Sequence, residues 1–128
     1  MAKIATYEGA TLISVECGGT VGEGRPVKMD AAGKIVHATA AADVAIGIVQ
    51  SDGVSGDLVR VCVLGPSDAV AHGALTAGTD QRLGCAANGL EPAGALHVVI
   101  AQWVPTTANL TPVAGDVIKV ILTGAGKA

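Results

Sequence analysis

The 128 residues are enough for one domain that buries a continuous core without disulfides. Half of them are hydrophobic and only 2% aromatic, so Val, Ile, Leu and Ala must fill that core, and the scarcity of large anchors favours oligomerisation. A formal net charge of -3, with eight Lys and Arg scattered singly, excludes a basic face for nucleic acid, and no run approaches the ~20 apolar residues of a membrane-spanning helix.

The opening MAKIATYEG lacks the apolar middle region of a signal peptide, so synthesis in the cytoplasm is expected. Residues 1–18 read as an N-terminal arm and 125–128 as a flexible tail, both with too little to bury. Between them, eighteen glycines and five prolines punctuate short runs of period-two alternation, and no long window carries apolar residues at helical spacing. The fold class is therefore all-β, a compact β-tulip or small barrel-like domain over 19–124.

Strands are expected over 11–15, 26–29, 34–38, 45–50, 58–64, 81–85, 97–104 and 116–122. The connection before the second strand, CGGTVGEGR, has the glycines of a phosphate-binding loop but neither a following GK[ST] nor a helix, and reads as a flexible link. The segment GRPVKMDAAGKIVHAT then places Val27, Met29 and Ile35 on one face and Lys28, Asp30 and Lys34 on the other. Asp30 can accept backbone hydrogen bonds at the turn and Gly33 can take the positive φ of a short hairpin loop, so this is the first hairpin of a scaffold. A lysine beside a methionine also occurs in lipoyl and biotin carrier domains, but there it sits at the hairpin tip; Lys28 lies two residues down the strand and reads as solvated. Farther on, PSDAVAHG offers Ser67 as a cap and Gly73 as a stop for one short helical turn over 67–72.

Laid side by side, 19–65 and 73–124 form two weakly similar halves. Gly56-Asp57-Leu58-Val59-Arg60-Val61 parallels Gly115-Asp116-Val117-Ile118-Lys119-Val120, with the same turn, apolar positions and basic residue. Trp103 is read as a core plug rather than an interface anchor, because the interior has so few large side chains.

The residue inventory does not assemble into catalytic machinery. Cys17, Cys62 and Cys85 are odd in number and widely spaced, which indicates small buried hydrophobes, and with His37, His72 and His97 they lack metal-ligand spacing. Ser14, Ser51, Ser55 and Ser67 have no nucleophile elbow, and Asp52, Asp57, Asp68 and Asp116 stand in turn or cap contexts. No catalysis, cofactor or metal is expected.

The run PVKMDAAGKIVHATAAADVAIGIVQSDGVSGDLVRVCVLG orders a Pro-initiated strand, a D-x-x-G-K turn, an apolar strand, an Ala-rich loop, an A-[IV]-G-I strand and a G-D-x-V-R-V strand. In this it resembles the head decoration, or capsid cement, proteins of tailed bacteriophages, the lambda-like decoration family. The resemblance implies a homotrimer on the outside of the expanded head, held to the major capsid protein and stabilising the shell against internal DNA pressure. It also implies that the arm, Ala2, Lys3, Ile4, Ala5, Thr6 and Tyr7, adds a strand to a shell subunit. Two alternatives stay open: another structural or adhesion β domain of a virion, and the carrier domain.

Overall fold

The computed structural model describes residues 7–94 and 98–127, with side chains through 123. Nine strands succeed one another: β1 (Thr11–Glu16), β2 (Pro26–Met29), β3 (Ile35–His37), β4 (Gly47–Val49), β5 (Leu58–Val70), β6 (Arg82–Ala86), β7 (Gly89–Pro92), β8 (Val98–Trp103) and β9 (Val117–Lys127). All pairings between them are antiparallel, in the order β3-β2-β4-β5-β9-β8-β6-β7, with β1 also on β5. The all-β expectation holds, and each of the eight expected strands is found, with β5 and β9 running six and five residues past their expected ends. The arm residues 2–6 lie outside the described residues, whereas β1 falls inside the 1–18 segment.

The helical turn expected over 67–72 is not there. Residues 65–70 continue β5 and pair one to one with β9, from Gly65 opposite Leu122 to Val70 opposite Val117. Ser67 caps nothing: its hydroxyl donates to Asp68 O at 2.8 Å and accepts from Gln50 Nε2 at 3.1 Å. The ladder to a strand fifty residues away outweighs the local cap-and-stop pattern. β7, from Gly89, was also not anticipated, since GLEP carries no β-branched residue.

The sheet curls into two lobes, each with five strand segments. In the first, β3-β2-β4, residues 58–64 of β5, and β1 nearly close on themselves through a parallel bridge from Cys17 to Ile35. In the second, β7-β6-β8-β9 and residues 65–70 of β5 do the same through a parallel bridge from Ala71 to Leu90.

The lobes share most of their turn and rim hydrogen bonds. Asp57 Oδ2 accepts from Val54 N at 2.9 Å and Asp116 Oδ2 from Val113 N at 3.0 Å, over glycines with φ of 92° and 88°. Gly56 N donates to Cys17 O and Gly115 N to Ala71 O, both at 2.9 Å; Gly18 N donates to Ile35 O and His72 N to Leu90 O, both at 2.8 Å. Val49 N reaches Arg25 O as Trp103 N reaches Gln81 O.

The cores correspond in the same register. Cys17, Val21, Val27, Ile35, Val49, Val59 and Val61 fill the first lobe; Ala71, Leu75, Leu83, Leu90, Trp103, Ile118 and Val120 stand at the matching places in the second. Trp103, 3% exposed, is therefore a core plug where the first lobe has Val49. The second core extends across the seam to Ala38, Ala45, Ile48 and Cys62 of the first lobe, while the first lobe's own core stays a separate cluster.

Gly47 lies in this seam region, where a Cβ would collide with the carbonyl of Cys62, whereas one at Gly19 would meet nothing within 4 Å. Gly47→Ala is therefore expected to lower unfolding free energy by roughly 1–3 kcal/mol. Gly19→Ala should leave the urea midpoint nearly unchanged.

Candidate functional site

The CGGTVGEGR connection is an ordered rim rather than a flexible link. A side chain at Gly18 would meet Asp30 Oδ2 at 2.6 Å, Val21 N donates to Gly53 O at 2.9 Å, and Gly24 N donates to Val49 O at 2.8 Å. This rim and the β4–β5 loop enclose an open groove of about 480 Å³ lined by Thr20, Val21, Gly22, Arg25, His37, Asp52, Gly53, Val54 and Asp57.

Polar groups around the groove already hold backbone. His37 Nε2 accepts from Gly22 N at 2.9 Å, Asp52 Oδ1 accepts from Glu23 N at 2.8 Å, and Asp57 Oδ2 closes its own turn. His72, at another loop, accepts from Asn88 N through Nδ1 at 3.2 Å. His97 lies outside the described residues. Among those described, no three His, Cys, Asp or Glu side chains converge as a metal site.

In the second lobe the chain's own residues fill the corresponding place. The β8–β9 connection has thirteen residues against eight between β4 and β5. Pro112 replaces Gly53, is fully buried, and accepts from Leu75 N at 3.0 Å. Sequence comparison of the halves did not expose this difference, since the extra residues fall between the matching strands.

Other assigned positions differ from their sequence reading. Lys28 is not simply solvated: its ammonium pairs with Asp43 Oδ1 at 2.9 Å. Asp43 also accepts from Thr39 N and Ala40 N; burial opposes its ionisation, but these amides and Lys28 together hold its carboxyl below the usual range. Asp68 stands on a strand rather than in a turn, and accepts from Tyr7 Oη at 2.6 Å.

Of the strand-adding arm residues 2–7, Tyr7 is the one that is described. Its ring lies under Lys119 Nζ, 4.9 Å from the ring centre, and its hydroxyl pKa is raised by the bond to Asp68 and by burial. Tyr7 is thus fastened to β5 and β9. The cysteines are buried free thiols, as expected for small hydrophobes; burial, then the Asp43 charge, pushes Cys85 up to about 12.

No family model matches the chain, and no curated protein matches it. Among solved structures the chain is similar to the N base of the head fiber protein gp8.5 of bacteriophage phi29. The TM-score is 0.65 with 15% identity, and the match covers 92% of this chain and 98% of that one. At this identity the similarity is one of fold.

His37 gives the rim a pH dependence. Burial, then the nearby Arg25 charge, lowers its pKa from 6.5, so the neutral ring that accepts from Gly22 N is the folded form. The unfolded chain takes up its proton near the ordinary value. Stability is therefore full above about pH 6.5 and is lost as pH falls through the lowered native value. Urea midpoints at about pH 7.5 and about pH 5 should differ, and His37→Gln, neutral throughout, should reduce the difference.

Proposed function

We propose that this chain is a structural protein of a bacteriophage head, placed on the outer surface of the expanded capsid and bound to the major capsid protein. The observation that carries this reading is the fold shared over nearly the full length of both chains with a head fiber base. The order of strand and turn motifs across 26–65 supports it independently. So does the polar inventory, whose described histidines and aspartates hold turns and rims rather than converging on a reaction centre.

In this reading the homotrimeric protein is made in the host cytoplasm and joins the virion as a cement. Whatever binds an expanded shell but not its ruptured state stabilises the shell by mass action. Many copies sum small contributions into resistance to internal DNA pressure. The arm residues Ala2, Lys3, Ile4, Ala5 and Thr6 pair with an edge of a shell subunit, and the Tyr7–Asp68 bond anchors them to the rigid body. A second reading, favoured by the identity of the fold neighbour, is a base that carries a surface fiber or adhesion domain without strengthening the shell.

Co-sedimentation with undecorated heads separates the two. A cement binds expanded shells at a fixed ratio to the shell subunit and raises the temperature at which heads release DNA. A fiber base binds in few copies and leaves that temperature unchanged, and absence of binding rejects both. Deleting residues 2–6 should preserve melting of the free protein and weaken head binding by about tenfold or more, about 1.4 kcal/mol.

A further inference from the structure

The matching strand registers of the lobes make surface positions comparable with their counterparts, and the comparison singles out one surface. Within the chain the second lobe covers the outer face of the first. Cys62 is 0% exposed in the shared core, Ser67 is 1% exposed, and Cys85 is 0% exposed and within reach of the Asp43 and Lys28 charges across the seam. Gln50 Nε2 crosses the seam to Ser67 Oγ at 3.1 Å, and Val70 N crosses to Gly24 O at 2.8 Å.

The counterparts of Cys62, Ser67 and Cys85 are apolar and open, while that of Ile48 is the exposed Gln102. Cys62 opposite Ile48 corresponds to Ile121 opposite Gln102; Ser67 opposite Val120 corresponds to Ile13 opposite Val61; Cys85 opposite Leu90 corresponds to Met29 opposite Ile35. Ile121, Ile13 and Met29 are 43%, 41% and 44% exposed. The polar seam pair Gln50 and Ser67 becomes the apolar pair Val104 and Ile13, which suits a contact that must form between separate molecules.

We propose that a second copy of this chain seats its first lobe on the second lobe of its neighbour, as the second lobe sits on the first within one chain. Ile13 and Met29 of one copy then meet Ile121 and Val104 of the next. The seam is thus continued between molecules, which is what selects a second copy rather than an unrelated partner. Such a contact is head-to-tail, and copies repeat it until the assembly closes into a ring. The proposal concerns self-association only and is independent of head binding.

Sedimentation velocity tests it. The wild-type chain should form one discrete assembly. Ile121→Asp and Ile13→Asp should each sediment as monomers while keeping the wild-type β-sheet circular-dichroism spectrum and a cooperative melt, because both side chains are exposed in the single chain. An equimolar mixture of the two variants should recover a two-copy species and nothing larger, since each retains the half of the contact that the other has lost. A monomeric wild type, a variant that still assembles as wild type does, or a mixture that stays monomeric would each overturn the proposal; Met29→Glu provides a third position with the same expected loss.

Discussion

Everything in the molecule hangs on one strand that serves two lobes. β5 gives residues 58–64 to the first curl and 65–70 to the second, and the change of partner from β1 and β4 to β9 occurs at Gly65. Gly65 has φ of 90°, and a Cβ there would lie 2.8 Å from Gly9 O, so both the backbone conformation and the close approach of the chain entering β1 require glycine. The bend carries β5 back across the first lobe, where Val70 N reaches Gly24 O and Ser67 reaches Gln50. Without it Ile48 and Cys62 would stay in water, and two small curls would each have too little interior to be stable alone.

The interior that results solves the shortage of aromatics by size grading rather than by anchors. Matching positions in the first and second lobe exchange Val21 for Leu75, Val27 for Leu83 and Val49 for Trp103, while Cys17 becomes Ala71. The second lobe is filled by larger side chains at most positions, and it also closes its own rim with Pro112. Duplication of the backbone therefore did not require duplication of the packing, because hydrogen-bond ladders constrain the main chain and leave side-chain volume free to vary.

The same asymmetry shapes the surface. An open groove remains beside His37 in the lobe whose rim is short, and Ile13, Met29 and Ile121 are exposed where their counterparts Ser67, Cys85 and Cys62 are covered inside the chain. Polar groups that mostly hold turns, and apolar residues exposed at positions equivalent to covered ones, leave a surface that the proposed self-association would bury. In the proposed structural place on a phage head, burial between subunits would be the useful outcome of such a surface.

Period-two alternation and turn chemistry in the sequence determined the β class, eight of nine strands, the Asp30–Gly33 hairpin turn and the burial of the cysteines, because each depends on residues close in the chain. The recurring Gly-Asp turn was legible for the same reason, since Asp57 and Asp116 bond within their own loops. Tertiary structure alone decided that 65–70 is strand rather than helical turn, that GLEP pairs at all, that Lys28 meets Asp43, and that the likeness of the halves runs through every strand. It also decided which of two corresponding residues, Cys62 or Ile121, is covered. Those outcomes are sums over partners tens of residues away, and a ladder or seam contributed by distant strands outweighs a local preference worth a fraction of a kcal/mol to about 1 kcal/mol.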